Sequence, residues 1–183
     1  MNKIKNKKTK NRESGFTLIE ILVVIGMIAL LAAIVIVAIN PARQFAQGRN
    51  TQRVSNVNAI LNAIGQNIAD NKGVFTCATA TSGLPTASVT PPITSANDPG
   101  TFATPAYKIA SSGTNTVDLS CLTPTYIPAL PADPGDPANY KWTSNTNYDT
   151  GYFVFKDANG RITVYAPKTD LLDGKTELTA VTR

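Results

Sequence analysis

The chain opens polar, turns uniformly apolar, then becomes periodic and finally alternating. Residues 16–39 read FTLIEILVVIGMIALLAAIVIVAI, 24 positions with a single charge, Glu20. A helix of that length spans roughly 36 Å against a bilayer core of about 30 Å, so the run predicts a membrane-crossing helix. From Pro41 the pattern changes. Val54, Val57, Leu61, Ile64 and Ile68 recur at alternating spacings of three and four. That marks one apolar face of an amphipathic helix ending near Asn71-Lys72-Gly73, where glycine suits the C-cap. Pro41 lacks an N–H and clashes with the turn before it, so a kink or local opening is expected near residues 37–41. Residues 76–105 are rich in Thr, Ser, Pro and Gly and show no period, as a long exposed loop does. Short strand-like segments follow. Tyr107–Ala110 and Val117–Leu122 are the weaker candidates. Tyr152–Lys156 and Arg161–Ala166 are stronger, joined by the turn Asp157-Ala158-Asn159-Gly160, and Glu177–Thr182 adds an edge. The expected fold class is α+β: a long N-terminal helix, membrane half plus amphipathic half, packed on a small antiparallel sheet of three to five strands.

Charge changes the picture through its position. Six of the 17 basic residues, Lys3, Lys5, Lys7, Lys8, Lys10 and Arg12, precede the apolar run, opposed only by Glu13. From residue 16 onward basic and acidic residues balance at eleven each. The net charge of +5 therefore belongs to a short leader and argues against nucleic acid as a partner of the body. Arg43, Arg49 and Arg53 read as a solvated face or as contacts between subunits, rather than as a DNA-binding stripe. Basic residues before a membrane span stay on the cytoplasmic side, which places the chain from about residue 41 outside. A secretory signal peptide shares the basic start, but the apolar run is too long and no small-x-small cleavage site follows it.

A carboxylate at the centre of a membrane helix costs about 2.5–3.5 kcal/mol, and less near an end. Glu20 is thus either an interfacial residue or a group that a cation meets in the membrane. Gly15-Phe16-Thr17-Leu18-Ile19-Glu20, after a short basic leader and before a long apolar run, resembles the prepilin signature of type IV pilins and type II secretion pseudopilins. The resemblance covers residues 1 to about 39 directly, and the family's continuing helix extends to about residue 70. It implies a pilin-like roll, with cleavage between Gly15 and Phe16 by a membrane prepilin peptidase on the cytoplasmic side. It further implies N-methylation of Phe16, and pairing of Glu20 with the Phe16 amine of a neighbouring subunit as a filament grows from an inner-membrane assembly platform. The implied divisions are a cleaved leader 1–15, a transmembrane and assembly half-helix 16–40, an amphipathic half-helix 41–72, and an extracellular domain 73–183. Residue chemistry points the same way. Gly15 leaves the backbone open to a protease, and cleavage creates an ammonium one helical turn before Glu20. Two buried charges that meet are tolerable where one alone is not.

The chain has no histidine, which removes Ser-His-Asp hydrolysis and His metal sites. Its two cysteines, Cys77 and Cys121, are too few for a zinc ribbon. Outside the cytoplasm they are expected to oxidise, closing a loop of about 45 residues with a contribution of about 4 kcal/mol on the chain-entropy model; the alternative is two separate buried thiols. Leu130-Pro131-Ala132-Asp133-Pro134, with Tyr140-Lys141-Trp142 after it, resembles a segment of major pseudopilins, in some of which a nearby loop binds calcium. Asp133, Asp136, Asn147 and Asp149 offer the oxygen ligands that calcium takes, while Asp-Pro turns are commonly only turns. Asp133 and Asp136 as a catalytic pair would need a cleft that nothing here indicates.

The reading that results is a non-enzymatic structural subunit, without a cofactor unless a structural calcium binds. It is a prepilin that polymerises into a type IV pilus or pilus-like filament, with peptidase, assembly platform, membrane and further copies of itself as partners. The alternatives are a secretion or competence pseudopilin and, further off, a bitopic anchored binding protein that keeps its leader. The precursor belongs in the cytoplasmic membrane with its C-terminal domain outside, and the filament at the cell surface.

Overall fold

The computed structural model describes residues 15–77, 83–87, 93–94, 106–172 and 178–183, apart from the side chain of Ala38. The leader to residue 14, most of the expected Thr/Ser/Pro-rich loop, and Glu177 lie outside these residues. The chain divides after Pro41 into two compact units.

The first unit is α1, Leu18–Ile39. Thr17 is its N-cap, in extended conformation, and Asn40 its C-cap, at φ 41°. Every described side chain of α1 is exposed, from Leu18 at 83% at its start to Ile39 at 52% at its end. A helix with no polar face and no covered face is built for a solvent other than water, and Leu18–Val37 is long and apolar enough to cross a membrane. The left-handed Asn40 ends α1 where an opening is expected, and α2, Pro41–Asp70, starts with proline, whose missing N–H costs nothing at a first helical position.

In the second unit α2 buries Ala46, Arg53, Asn56, Val57, Ile60, Leu61, Ala63, Ile64 and Asn67. The expected apolar stripe is therefore shifted. Val54 is 47% exposed, whereas Ile60 is fully buried. Asn67 fastens the returning chain, its Nδ2 donating to the Thr76 carbonyl at 3.0 Å and its Oδ1 accepting from the Thr76 N–H at 2.9 Å.

Among the described residues the sheet has six strands: β1 Tyr107–Ala110, β2 Thr116–Val117, β3 Lys141–Ser144, β4 Asn147–Lys156, β5 Ile162–Ala166 and β6 Thr179–Thr182. Their order is β2-β1-β4-β5-β6, with β3 also pairing with β4. All pairs are antiparallel except β1 with β2. The sheet is thus mixed and one strand larger than expected. Left-handed Gly113 and Asn115 turn the chain back beside β1, and the Lys108 N–H donates to the Asn115 carbonyl at 2.9 Å. The segment Val117–Leu122 is not one strand. Asp118 Oδ1 accepts from the Ser120 N–H at 2.8 Å and from the Tyr148 hydroxyl at 2.7 Å, and this turn converts Ser120–Leu122 into a 3-10 helix.

β4 is buried along most of its length because both its faces are covered. Tyr148, Tyr152 and Val154 join Val57, Ile60 and Ile64 in the larger core. Phe155 and Tyr165 form a second core with Ala87, Ile93, Ala106 and Leu178. The β4–β5 turn closes as expected, with Gly160 at φ 84° and the Asp157 N–H donating to the Arg161 carbonyl at 2.8 Å.

Candidate functional site

The processing end is built by the first turn of α1. Gly15 and Phe16 lie outside the helix and are exposed, and a side chain at Gly15 would meet nothing within 4 Å. Thr17 and Glu20 form a capping box. The Glu20 N–H donates to Thr17 Oγ1 at 3.3 Å, while Glu20 Oε2 accepts from the Thr17 N–H and from its hydroxyl, each at 3.2 Å. The box satisfies helix N–H groups that have no partner within the helix. It also partners the one carboxylate of the apolar segment at the positive end of the helix dipole. The Thr17 N–H belongs to the Phe16–Thr17 peptide bond, so cutting Gly15–Phe16 leaves the box intact. Thr17 was missed by sequence reasoning, although Thr three residues before Glu at an apolar run is the capping-box signal.

A second constellation organises the head. Arg53 is 1% exposed, which corrects its assignment to a solvated face or a subunit contact. Its Nε and Nη2 reach Asp133 Oδ2 and Oδ1 at 2.8 and 3.0 Å, and its Nη1 reaches Asp170 Oδ2 at 2.5 Å and Asn50 Oδ1 at 2.8 Å. Arg49 adds two bonds to Asp170, at 3.0 and 2.8 Å. Arg43 is exposed. Asn56 donates to the Ala132 carbonyl at 3.1 Å and to the Tyr152 hydroxyl at 2.9 Å. Two loops distant in sequence are thereby fastened to one face of α2. The Arg49 hydrogen bonds, then those of Arg53, hold the Asp170 carboxyl at about 2 although burial opposes them. Burial works against the charge on Arg53, but hydrogen bonds and attraction from Asp133 and Asp170 raise it above its ordinary value. Burial pushes the Tyr152 phenol up to about 12. Gly135 permits this packing, because a Cβ there would collide with Arg53 Nη2.

The three candidate calcium aspartates have other partners. Asp133 faces Arg53, Asp136 accepts from Asn139 Nδ2 at 2.9 Å, and Asp149 pairs with Lys108 at 2.6 Å. Asn147 opens β4 and is exposed. Among the described residues no three acidic or cysteine side chains gather where a metal could be held. Cys77 and Cys121 are joined in a disulfide with Cα atoms 5.6 Å apart. Cys121 lies in the 3-10 helix, not in a strand.

Residues 10–39 match the family model described as the prokaryotic N-terminal methylation motif, the signature of type IV pilin and pseudopilin precursors. This kind of precursor is structural and not an enzyme family. No curated protein and no solved structure matches the chain.

Proposed function

We propose that the chain is the precursor of a filament subunit. The leader is removed between Gly15 and Phe16, Phe16 is N-methylated, and the mature chain polymerises into a type IV pilus or pilus-like filament. The observation that carries this reading is the capped Glu20 at the mouth of an otherwise uncharged, wholly exposed helix. Cleavage puts the Phe16 ammonium at the positive end of α1, where a cation is disfavoured and a carboxylate favoured. The ammonium therefore needs a counter-charge, which the Glu20 carboxylate of a neighbouring subunit supplies. Apolar side chains that leave the bilayer need equivalent cover, and the α1 segments of further copies supply it. The prepilin peptidase acts on the precursor in the cytoplasmic membrane. An assembly platform there then builds the filament, which carries the heads outward.

The test is Glu20→Ala in the full-length chain. Leader cleavage is expected to continue while surface filaments are lost. Filaments in normal number would refute the pairing.

A further inference from the structure

The head leaves apolar side chains uncovered close to the point where the chain leaves the membrane span. Among the described residues of the second unit, the large apolar side chains left exposed are Phe45, Val54, Val74 and Leu171. Phe45 is the most exposed of them, at 70%, although its neighbour Ala46 is in the core. Leu171 follows Asp170, whose N–H donates to Asn50 Oδ1 at 3.0 Å and whose carbonyl accepts from Asn50 Nδ2 at 2.7 Å. Asn50 is about 7.5 Å along α2 from Phe45. Two of these side chains therefore belong to the base of the head, the part that follows α1 in the chain.

The covalent chain limits how far from the bilayer Phe45 can stand. Leu18–Val37 is the segment long and apolar enough to cross, and Phe45 is the eighth residue past its end. As helix that is about 12 Å of rise. A helical side chain leans toward the N-terminus and covers the turn before its own Cα, which brings the ring about 5 Å nearer the span. The polar layer on each side of the hydrocarbon is about 5–8 Å deep. At any inclination of α2 the Phe45 ring is thus within reach of that layer.

Charge does not oppose the contact. No Asp or Glu lies between Glu20 and Asp70 in the chain, and the Asp170 carboxylate beside Leu171 is neutralised by Arg49 and Arg53. An anionic headgroup therefore meets no unpaired acid of these residues. Apolar side chains on one face of a helix beside a bilayer are what an interfacial anchor uses, and Phe45 continues the uncovered apolar surface that α1 already presents to lipid. We propose that Phe45 seats in the headgroup layer of the membrane that α1 crosses and so holds the base of the head on the lipid surface while the chain stands in the bilayer. The contact rests on the membrane crossing of α1 and not on filament assembly.

Tryptophan fluorescence of the full-length chain in vesicles of phosphatidylcholine and phosphatidylglycerol tests it. Trp142 is the chain's one tryptophan, so Phe45→Trp/Trp142→Phe carries its only probe at the anchor. An anchor sits about 5–10 Å into the boundary between headgroups and acyl chains, so lipid brominated on the upper acyl chain is expected to cut this emission about twofold. Gln47 is also exposed and lies on the opposite side of α2 at nearly the same height. Gln47→Trp/Trp142→Phe is therefore expected to keep its emission. Equal quenching at the two positions overturns the proposal, because the whole turn and not the Phe45 face would then be immersed. Emission at position 45 that brominated lipid leaves unchanged overturns it as well. Quenching by aqueous iodide would then show water as the surroundings, and a spectrum that shifts when the protein is diluted into excess lipid would show a second copy as the cover.

Discussion

Arg53→Met removes the cation at the centre of the head and keeps a long side chain in its place. Asp133, 1% exposed, is left with the Gly135 N–H at 2.7 Å as its side chain's remaining partner among the described residues. Asp170 keeps Arg49. Breaking a buried pair in this way costs about 3–5 kcal/mol, because the surviving charge stays desolvated. Whole domains are stable by only about 5–15 kcal/mol. At about 3 °C per kcal/mol for a domain of this size, the melting temperature falls by about 9–15 °C. The pair itself is worth much less than its breakage, since replacing both members with apolar residues is often neutral. Arg53→Met/Asp133→Leu is therefore expected to recover most of the loss. Thermal unfolding of the full chain in detergent reads this out through Trp142, which stacks on Tyr148 with ring centroids 4.8 Å apart. If Arg53→Met melts within about 3 °C of the unaltered protein, or the double variant melts as low as the single one, the buried pair is not what organises the head.

Three further outcomes are expected. The Asp170 carboxyl is depressed to about 2, so its contribution is fully present above its ordinary value near 3.8 and is lost as pH falls from there through 2. A loss of about 2 kcal/mol across that window is expected in pH-dependent melting, and Asp170→Asn should abolish that component. Gly151→Ala forces a side chain into φ 73° with its Cβ 2.7 Å from Tyr140 Cδ2, and should cost about 1–3 kcal/mol in the same melting assay. Thr17→Val removes the hydroxyl that accepts from the Glu20 N–H and donates to its carboxylate, a loss of about 1 kcal/mol at the start of α1. It should lower filament yield while precursor level holds, as quantified by immunoblot of sheared filaments against whole cells.

What was legible in the sequence is what local pattern determines. The apolar run and the Gly15–Glu20 hexapeptide mark α1 and its processing end, the three-and-four spacing marks α2, and Asp157–Gly160 marks the β4–β5 hairpin. What was not legible depends on distant partners. Arg53 looks like a surface residue until Asp133, 80 positions away, folds against it. Asp133 likewise gives no local sign that its partner is that guanidinium. β3 escaped notice because Lys141, Thr143 and Ser144 are exposed and leave no alternating apolar face to read. The stripe on α2 is displaced because Arg53 and Asn56, both polar, take core-facing positions, while Val54 points outward.

The central claim is that this chain is a precursor made to be cut and assembled. Its most direct test is the intact mass and N-terminal sequence of the protein recovered from cells that contain a prepilin peptidase. A mature chain beginning at N-methylated Phe16 is expected. A recovered chain that still begins at Met1 would contradict it, and would leave α1 as a plain anchor beneath an extracellular domain.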